Sequence, residues 1–272
     1  MPGQILKSGS TALDRILAYK VDEVAAAKAV MSPGELDERL KSAPAPRGFA
    51  AALTAVADTG RNGLICELKR RSPSAGDILP GADPLAIASD YEAGGAACLS
   101  VLTDGPSFGG SFEDLVTVRE TVSLPILRKD FMIDPFQVYE ARAHGADAIL
   151  VILAAVDDVL AGELCAVAQS EGMDVLAEVH NEDELERAVQ LPVTLMGVNN
   201  RNLKTMTTDL ATTARLAPLV PVHMQLVAES GVHTPEDIRL LRESGARRFL
   251  IGESLMKHTD RRQAVDALHL TA

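Results

Sequence analysis

Charged side chains recur in pairs two residues apart, each time at the end of a short apolar run. Glu67 precedes Lys69 by two positions, and Glu178 stands in the same relation to His180. Side chains two positions apart on a β-strand point to the same face. Carboxylates and ammonium groups gathered on one face can take up and release protons, which suits acid–base chemistry on a small molecule. Other apolar runs end in Lys129, Asn199-Asn200-Arg201, Glu229-Ser230-Gly231 and Gly252-Glu253-Ser254.

The simplest alternative for each pair is a salt bridge that serves only stability. Charged groups on the packed face of a sheet cost free energy unless they are paired or used, and a single pair satisfies that condition. Six polar run ends in one chain disfavour this explanation, because a rim built for stability does not need lysine, glutamate and asparagine to converge. The pattern therefore favours a reaction site.

The chain that carries these residues alternates regularly after Gly63. Short apolar runs are followed by longer amphipathic segments, such as 135–144 and 235–244, which end at Gly145 and Gly245. Glycine is the usual residue just past the end of a helix. The eight predicted strands are 64–69, 97–102, 125–129, 148–152, 175–179, 195–199, 225–229 and 248–251.

Alternation of strands and helices, with strands that are apolar throughout, indicates a parallel sheet covered by helices. Eight such units favour a closed barrel over an open doubly wound sheet, and no GxGxxG sequence follows the first strand to support dinucleotide binding. We therefore predict an α/β fold, a (β/α)8 TIM barrel with an N-terminal helical extension. Active sites of such barrels lie at the carboxyl ends of the strands, which is where the polar residues fall.

The start of the chain lacks this alternation. Residues 1–62 are predicted to form the helical extension, packed on a barrel of residues 63–272 within one structural domain. Ser10 or Thr11 is expected to cap the first helix. Ser32-Pro33 is typical of a second helix start, with proline at the first helical position.

The composition excludes several classes of protein. Among 272 residues, 47% are apolar and 24% are charged, which is ordinary for a globular protein and disfavours a disordered chain. The net charge of −12 argues against nucleic-acid binding, and no apolar run reaches the ~18 residues of a membrane span. Residues 1–7 lack the apolar core of a secretion signal, so we expect a cytoplasmic protein without membrane contact.

The three cysteines, Cys66, Cys98 and Cys165, are far apart and show no CxxC spacing. This distribution disfavours a zinc site and a disulfide framework, and it fits a reducing compartment. No sequence pattern points to a metal or an organic cofactor. The oligomeric state stays open, since a monomer is compatible with the sequence.

Glycines in the last two strand-to-helix loops form a candidate phosphate site. In (β/α)8 barrels, phosphate is often bound by the loops after strands 7 and 8 and by the N-terminus of a short helix. Here those loops contain Ser230-Gly231 and Gly252-Glu253-Ser254. Glycine lets the backbone approach an anion, and free N–H groups bind it. Two ordinary glycine turns are the alternative, and the Glu253 carboxylate must turn outward if its N–H binds an anion.

The loop 70–81, after the first predicted strand, is long, polar and rich in glycine and proline. Such a loop is either a solvated connector or a mobile lid over a site. Its position beside Lys69 favours the lid.

Seven segments, in order along nearly the whole chain, form a specific set of motifs. They are 67–74 (ELKRRSPS), 108–111 (FGGS), 127–131 (LRKDF), 177–180 (AEVH), 197–203 (GVNNRNL), 228–231 (AESG) and 250–256 (LIGESLM). Together these segments resemble the indole-3-glycerol-phosphate synthase family, the (β/α)8 enzymes of tryptophan biosynthesis. The last segment alone would be weak, because several phosphate-binding barrels share it.

The resemblance implies a reaction and the residues that perform it. Family members close a pyrrole ring on 1-(2-carboxyphenylamino)-1-deoxyribulose 5-phosphate and release carbon dioxide and water, which gives indole-3-glycerol phosphate. No organic cofactor or metal is implied. Lys129 resembles the general acid for ring closure, and Glu178 resembles the general base of the dehydration step. Lys69 resembles a second lysine that assists with the anionic groups of the substrate.

The same resemblance implies supporting contacts. Glu67, Asn199 and Ser230 resemble the polar partners that hold the substrate and the lysines. Phe108 and Phe131 resemble the apolar walls of the pocket for the aromatic ring. The remaining matches to substrate-binding positions are Ser72, Arg201, Gly231, Gly252, Glu253 and Ser254. Association with other enzymes of tryptophan biosynthesis stays open.

The chain departs from the family pattern at two positions, and these departures are expected to affect at most the affinity for the substrate. Ala75 stands where many relatives carry lysine, and Asn202 stands where aspartate is common. One rival is phosphoribosylanthranilate isomerase, a barrel that relies on a cysteine and an aspartate, but Cys66 is adjacent to Glu67 and would face away from it. A second rival, a barrel that only binds a phosphorylated ligand, does not need the lysine–glutamate set.

Two features near the fifth predicted strand, a histidine and an acidic segment, can be explained without a role in the reaction. His180 is either a catalytic residue or a rim histidine bonded to the next loop. The acidic segment 181–186 is expected to be a solvated helix face, with its charge favourable at the helix N-terminus.

Overall fold

The computed structural model describes residues 3–6, 9 and 11–269, so the capping expected of Ser10 lies outside the described residues. Within them, eight parallel strands close into a barrel in sequence order, each paired with the next and the last with the first. The predicted (β/α)8 barrel with an N-terminal helical extension is confirmed. The barrel strands are β1 (Gly63–Leu68), β2 (Cys98–Leu102), β3 (Ile126–Lys129), β4 (Ala148–Ile152), β5 (Asp174–Val179), β6 (Leu195–Asn199), β7 (Gln225–Glu229) and β8 (Arg248–Ile251).

Three helices precede β1 in the described part of the chain, namely α1 (Ala12–Val30), α2 (Pro33–Ser42) and α3 (Phe49–Asp58). A short antiparallel ribbon, Arg71–Ser72 with Gly76–Asp77, lies in the loop after β1. The later helices are α4 (Pro84–Ala93), α5 (Gly105–Phe108), α6 (Phe112–Thr121), α7 (Pro135–Ala143), α8 (Asp158–Ser170), α9 (Glu182–Ala188), α10 (Ala211–Leu216) with the 3-10 turn Ala217–Leu219, α11 (Pro235–Glu243), α12 (Glu253–Lys257) and α13 (Arg261–Ala267).

Local sequence accounts for where these elements begin and end. Thr11 caps α1 by accepting a hydrogen bond from the N–H of Asp14, and Ser32 caps α2 with Pro33 at the first helical position, so both helix starts are as predicted. The strands β4, β6, β7 and β8 have the predicted bounds. The starts of β2, β3 and β5 differ by one residue, and β1 begins and ends one residue earlier than predicted. Element ends commonly vary by that amount.

The last part of the N-terminal extension, from Arg47 into α3, is held to the amino-terminal end of the barrel by polar contacts as well as by packing. Asp147, just before β4, accepts a hydrogen bond from the backbone N–H of Arg47 at 2.6 Å. Asp174, at the start of β5, accepts from the N–H of Ala50 at 2.9 Å. This carboxylate caps α3, whose own N-cap residue, Gly48, has no side chain to do so.

The barrel interior is aliphatic below the site. Ile65, Leu127 and Leu176 are completely buried, and each precedes a charged residue by two positions and shares its face. These three aliphatic side chains therefore form a packed layer in the barrel interior, directly below the charged side chains that follow them at the strand ends. Such a layered interior is a core rather than a pore.

The three cysteines pack as small apolar groups. Cys66, Cys98 and Cys165 are buried free thiols, and burial raises the pKa of each above its ordinary value. Among the residues that the structure describes, no helix combines the length and the apolar composition needed to cross a membrane.

Candidate active site

The carboxyl ends of the strands open into a cavity of about 830 Å³. Side chains reach it from β1, β3, β5, β6 and β7, and the N-terminal helix α1 forms part of its wall. The structure thus brings together residues as far apart in the sequence as Leu13 and Leu250. The predicted site residues that line the cavity are Glu67, Lys69, Phe108, Lys129, Phe131, Glu178, Asn199, Arg201 and Ser230.

The centre of this cavity is one ammonium group held by two carboxylates. Nζ of Lys129 lies 3.0 Å from Oε2 of Glu178 and 2.8 Å from Oε2 of Glu229. The three side chains come from β3, β5 and β7, so the lysine connects alternate strands across the barrel mouth. Their exposed fractions are only 14%, 3% and 2%. Water therefore screens these charges little.

The environment sets the protonation of these three groups. Burial lowers the pKa of Lys129, but the surrounding carboxylates outweigh it and hold the pKa well above its usual range. Burial raises the pKa of Glu178, but the positive charges of Lys129 and His180 outweigh burial and hold the pKa well below its usual range. For Glu229, burial and the charge of Glu178 prevail over Lys129 and raise the pKa to about 8. Of the two glutamates that contact Lys129, Glu178 is therefore the more strongly ionised.

A second ion pair lies at the end of β1. Oε1 of Glu67 is 2.8 Å from Nζ of Lys69, and Oε2 accepts a hydrogen bond from Ser100 at 3.4 Å. Burial raises the pKa of Glu67, but the two lysines outweigh it, so the pKa lies below its ordinary value. A Cβ atom on Gly252 would stand 2.5 Å from Oε1 of Glu67. Only glycine at this position leaves room for the carboxylate.

His180 lies between two carboxylates, one on each side of its ring, and hydrogen-bonds to one of them. Nδ1 lies 2.9 Å from Oε2 of Glu184 in α9, and Nε2 lies 3.3 Å from Oε1 of Glu178. Burial lowers the pKa of His180, but the two carboxylates outweigh it and raise the pKa to about 9. The ring is thus a cation at neutral pH that adds a second positive neighbour to Glu178. It is bonded to the next element, as the rim interpretation expected, and it also contacts the charged site.

The expectation that the acidic segment 181–186 is a solvated face is wrong at Leu185, which is buried, and at one of its acidic residues. Glu182 and Asp183 are exposed, but the side chain of Glu184 is only 14% exposed because it turns inward to His180. Asn181 also donates to Glu184 at 2.7 Å. The buried histidine and the cap residue together offset the cost of burying this carboxylate.

Two aromatic rings form an apolar wall of the cavity. Phe108 at the end of α5 and Phe131 just after β3 have ring centroids 6.0 Å apart and planes tilted by 36°. Leu13 and Ile16 of α1 also line the cavity. The N-terminal extension therefore contributes directly to the site.

Arg201 connects three loops at the rim. Its backbone N–H donates to Oδ1 of Asn199 at 3.0 Å, and its Nη1 donates to Ser74 in the loop after β1 at 2.6 Å. Its Nη2 lies 3.8 Å from Oε2 of Glu253 after β8. Ser72 lies outside the main cavity: its Oγ accepts from the N–H of Ala75 at 3.1 Å within the ribbon, and it lines a neighbouring recess.

A smaller cavity of about 440 Å³ adjoins the first, at the loops after β7 and β8. Gly231 has φ of +85°, which favours glycine, and a Cβ atom there would stand 2.8 Å from Cγ2 of Thr208. The carboxylate of Glu253 turns along α12 to pair with Lys257 at 2.7 Å. Ser230, Gly231, Gly252, Glu253 and Ser254 all line this cavity, so the structure brings the predicted phosphate residues together.

The sequence reasoning assigned no role to Glu229, although it ends a predicted strand. The available signal was its position at a strand end, directly before Ser230 and Gly231. The structure also contains no group of three or more histidine, cysteine, aspartate or glutamate residues, within 3–6, 9 and 11–269, that could hold a metal ion.

A closed parallel barrel with paired ammonium and carboxylate groups at its strand ends, beside a glycine-lined cavity, defines an enzyme of the (β/α)8 class. A thiamine phosphate pyrophosphorylase from Pyrococcus furiosus shares this fold with a TM-score of 0.56 and 15% identity, over 75% of this chain and 92% of that one. The family model of indole-3-glycerol phosphate synthase matches residues 13–268. The chain belongs to the indole-3-glycerol phosphate synthase family.

Curated relatives support the same assignment across nearly the full length. Indole-3-glycerol phosphate synthase from Hyphomonas neptunium is 62% identical over 261 residues, which cover 96% of this chain and 98% of that protein. The enzyme of the same name from Rhodospirillum rubrum is 57% identical over 90% of this chain and 94% of its own. That from Azospirillum brasilense is 49% identical over 95% and 99%. The predicted resemblance and the predicted class, a carboxy-lyase of tryptophan biosynthesis, are confirmed.

Proposed function

We propose that the chain converts 1-(2-carboxyphenylamino)-1-deoxyribulose 5-phosphate to indole-3-glycerol phosphate in the cavity at the carboxyl ends of the strands. The conversion joins the carboxyl-bearing ring carbon to the ribulose carbonyl carbon, and then expels carbon dioxide and water. These steps move charge onto and off oxygen atoms. They therefore need a proton donor, a proton acceptor and an apolar pocket.

Lys129 is the proposed general acid for ring closure. As the new carbon–carbon bond forms, negative charge develops on the carbonyl oxygen, and a buried ammonium can stabilise that charge and deliver a proton. The support is the pair of carboxylates 2.8 and 3.0 Å from Nζ, which keep the lysine charged and hold its position. A donor held in place avoids the entropy cost of finding the substrate.

Glu178 is the proposed general base of the dehydration step. Forming the pyrrole double bond removes a proton from the closed ring as the hydroxyl group leaves as water. A carboxylate whose pKa is held low is ionised at neutral pH, which is the state that a base needs before it accepts a proton. Glu229, whose pKa is raised to about 8, is proposed to hold Lys129 rather than to act as a second base.

Lys69 is proposed to bind the anionic groups of the substrate and to assist the leaving hydroxyl group. Its contact with Glu67, at 2.8 Å, supports this role because the carboxylate directs the ammonium into the cavity. Asn199 and Ser230 are proposed to hydrogen-bond the ribulose portion from β6 and β7. Both residues line the main cavity.

The other proposed contacts recognise the two ends of the substrate. Phe108 and Phe131 would hold the aromatic ring and exclude water from the carboxylate that leaves as carbon dioxide. The cavity after β7 and β8 would take the phosphate on backbone N–H groups. The remaining proposed substrate contacts are Ser72, Arg201, Gly231, Gly252, Glu253 and Ser254.

One observation carries this proposal: a single buried ammonium lies between two carboxylates at the base of the cavity. A barrel that only bound a phosphorylated ligand would need none of the three groups. The direct test adds the carboxyphenylamino substrate to the purified protein and follows indole fluorescence in time. Absence of product would refute the proposal.

Two variants test the division of roles. Lys129→Ala should lose roughly a hundred- to ten-thousand-fold in turnover and release no carbon dioxide, because ring closure comes first. Glu178→Gln should release carbon dioxide and then stall before indole forms. Lys41→Ala, which removes an exposed lysine of α2, is the control. Single-turnover experiments that follow carbon dioxide and indole separately distinguish the two roles. If Lys129→Ala releases carbon dioxide and Glu178→Gln does not, the assignment is reversed.

We also propose the organisation expected from the sequence: an extension of residues 1–62 and a barrel of residues 63–272 in one structural domain. The contact of Leu13 and Ile16 with the cavity supports it. A monomer suffices for the proposed reaction, because the proposed residues all come from one chain. A cytoplasmic location is proposed because buried thiols fit a reducing compartment.

A further inference from the structure

A lysine of the N-terminal extension is completely buried behind the aromatic wall. Lys20 lies in the middle of α1 and has no exposed surface. Its Nζ is 3.0 Å from Oδ2 of Asp104, 2.9 Å from Oδ1 of Asp130 and 2.9 Å from Oε2 of Glu23. Asp104 and Asp130 are themselves buried. A buried lysine is rare unless it is paired, so this position needs an explanation.

The first of these carboxylates controls the helix that carries Phe108. Asp104 is the N-cap of α5, and its Oδ1 accepts from the N–H of Ser107 at 2.9 Å. Its Oδ2 accepts from the hydroxyl of Tyr19, the residue before Lys20, at 2.7 Å. Because α5 is only one turn long, the orientation of its cap sets the position of Phe108 at its end.

The second carboxylate controls the residue on the other side of the wall. Oδ1 of Asp130, which binds Lys20, also accepts from the backbone N–H of Phe131 at 2.8 Å. Its Oδ2 lies 3.1 Å from Nη2 of Arg128. Asp130 directly follows Lys129, so the same carboxylate borders the proposed general acid.

We propose that Lys20 is a positioning residue that joins the anchors of Phe108 and Phe131 and thereby sets the width of the pocket for the aromatic ring of the substrate. The proposal rests on the proposed function, because the substrate's ring is what the pocket would hold. No other described side chain contacts both Asp104 and Asp130 in an ion pair. The 6.0 Å separation of the two rings is thus maintained from behind by one ammonium group.

Charge balance explains why the bridging group must be a cation. Two buried aspartates lie at this position, and Arg128 neutralises only one of them. Burial lowers the pKa of Lys20, but Asp130 and Asp104 outweigh it and hold the pKa well above its usual range. A neutral side chain here would leave two carboxylates repelling each other, and the loops that carry the rings would separate.

The test compares Lys20→Met with Lys28→Met. Methionine keeps most of the length of the lysine side chain without its charge. Lys28 also joins α1 to the barrel, through Asp134 at 2.6 Å, but it is half exposed and lies outside the site. For each protein, we would measure kcat and KM for the carboxyphenylamino substrate and the inhibition constant of inorganic phosphate.

The expected result separates positioning from general loosening. Lys20→Met should raise KM at least tenfold, change kcat less than threefold and leave the phosphate constant within twofold of wild type. Lys28→Met should change none of the three. An unchanged KM overturns the proposal, and so does a phosphate constant that rises in parallel with KM.

A double variant keeps the test decisive if Lys20→Met folds poorly. Lys20→Met with Asp104→Asn removes one positive and one negative charge and leaves Asp130 paired with Arg128 at 3.1 Å, yet the bridge is gone. It should show the same selective rise in KM, and a wild-type KM would overturn the proposal. The kinetic constants of each variant are compared with those of the wild-type protein, so the test of Lys20 requires an active wild-type enzyme. If the wild-type protein does not turn over the substrate, the proposed function itself is refuted.

Discussion

The carboxylate of Glu229 lies in the space that a side chain on Gly197 would occupy. A Cβ atom built on Gly197 would stand 2.1 Å from Oε1 of Glu229, far inside van der Waals contact. The two residues belong to neighbouring strands, and the register places Asn199, not Gly197, opposite Glu229. Glycine at position 197 therefore allows the glutamate to lie beneath the cavity and reach Lys129.

Gly197→Ala should disturb catalysis more than folding. The new methyl group displaces the Glu229 carboxylate, and Lys129 loses one of its two anchors. A misplacement of about 1 Å near reacting groups can cost on the order of a hundredfold in rate, so we expect kcat to fall by about that factor. Steady-state kinetics of Gly197→Ala against wild type provide the measurement.

Gly162→Ala is the matched control for that variant. Gly162 lies within α8, and a Cβ atom there would meet no atom within 4 Å. Alanine in a helix interior is favoured over glycine by about 1 kcal/mol, so this variant should be slightly more stable and fully active. An active Gly197→Ala enzyme would show that Glu229 is not needed where it lies.

Much of this arrangement could be predicted from the sequence. The strands of a parallel barrel are apolar on both faces, so each appears as a continuous run, and all eight were found to within one residue at each end. Active-site residues follow these runs because barrel sites lie at the strand ends. Lys129 and Glu178 were identified in this way before any contact between them was known.

The contacts between strand ends could not be predicted, because they depend on the barrel's closure and on which positions lack side chains. Nothing in the local sequence around Glu229 shows that Gly197, on another strand, leaves room for it. The inward turn of Glu184 was missed for a similar reason: helix periodicity shows the face of a residue, but not that a buried His180 attracts it. The role of Lys20 could not be predicted because its buried partners, Asp104 and Asp130, lie far from it along the chain.

Gly231→Leu should weaken phosphate binding selectively. Leucine disfavours the φ of +85° found there, and its Cβ would stand 2.8 Å from Thr208 and 2.9 Å from Leu210. The loop must move, so its N–H groups leave their positions around the phosphate. We expect the inhibition constant of inorganic phosphate and KM each to rise at least tenfold.

Gly245→Leu separates backbone strain from loss of the anion site. Gly245 has φ of +97° with nothing within 4 Å of a Cβ atom, and it lies between α11 and β8, at the opposite end of the barrel from the site. Its replacement should cost roughly 1–2 kcal/mol of stability with phosphate affinity unchanged. Equal phosphate affinity in Gly231→Leu and wild type would place the phosphate elsewhere.

Asp147→Asn should destabilise the fold without touching the cavity. The carboxylate is completely buried and accepts from Arg119 at 2.6 and 2.7 Å, from the N–H of Arg47 at 2.6 Å and from the N–H of Ile126 at 2.7 Å. Breaking a buried ion pair costs about 3–5 kcal/mol. Urea unfolding should show that loss.

The control for Asp147→Asn is Glu236→Gln, which removes an exposed ion pair with Arg239 on α11. Exposed pairs contribute little to stability, so its unfolding free energy should stay near that of wild type. Similar losses in the two variants would mean that Asp147 does not hold the extension to the barrel.

The last prediction concerns the pH dependence of stability through His180. Its pKa is raised to about 9 in the folded protein, above the value of 6.5 for a histidine free in water. The folded state therefore binds this proton more tightly than the unfolded state does. The resulting stabilisation is complete below about pH 6.5 and disappears as pH rises through about 9.

His180→Gln can keep a hydrogen bond to Glu184 but has no proton to lose. The difference in unfolding free energy between wild type and His180→Gln should accordingly be largest near pH 6 and shrink steadily up to pH 9.5. Urea unfolding at pH 6, 7.5 and 9.5 measures it. Glu229, whose pKa is about 8, titrates in the same pH range, but it does so in both proteins. When both proteins also carry Glu229→Gln, the difference in unfolding free energy should therefore still decrease as pH rises. A difference that is constant, or that grows with pH, would mean that His180 is not the cation that holds Glu178 and Glu184.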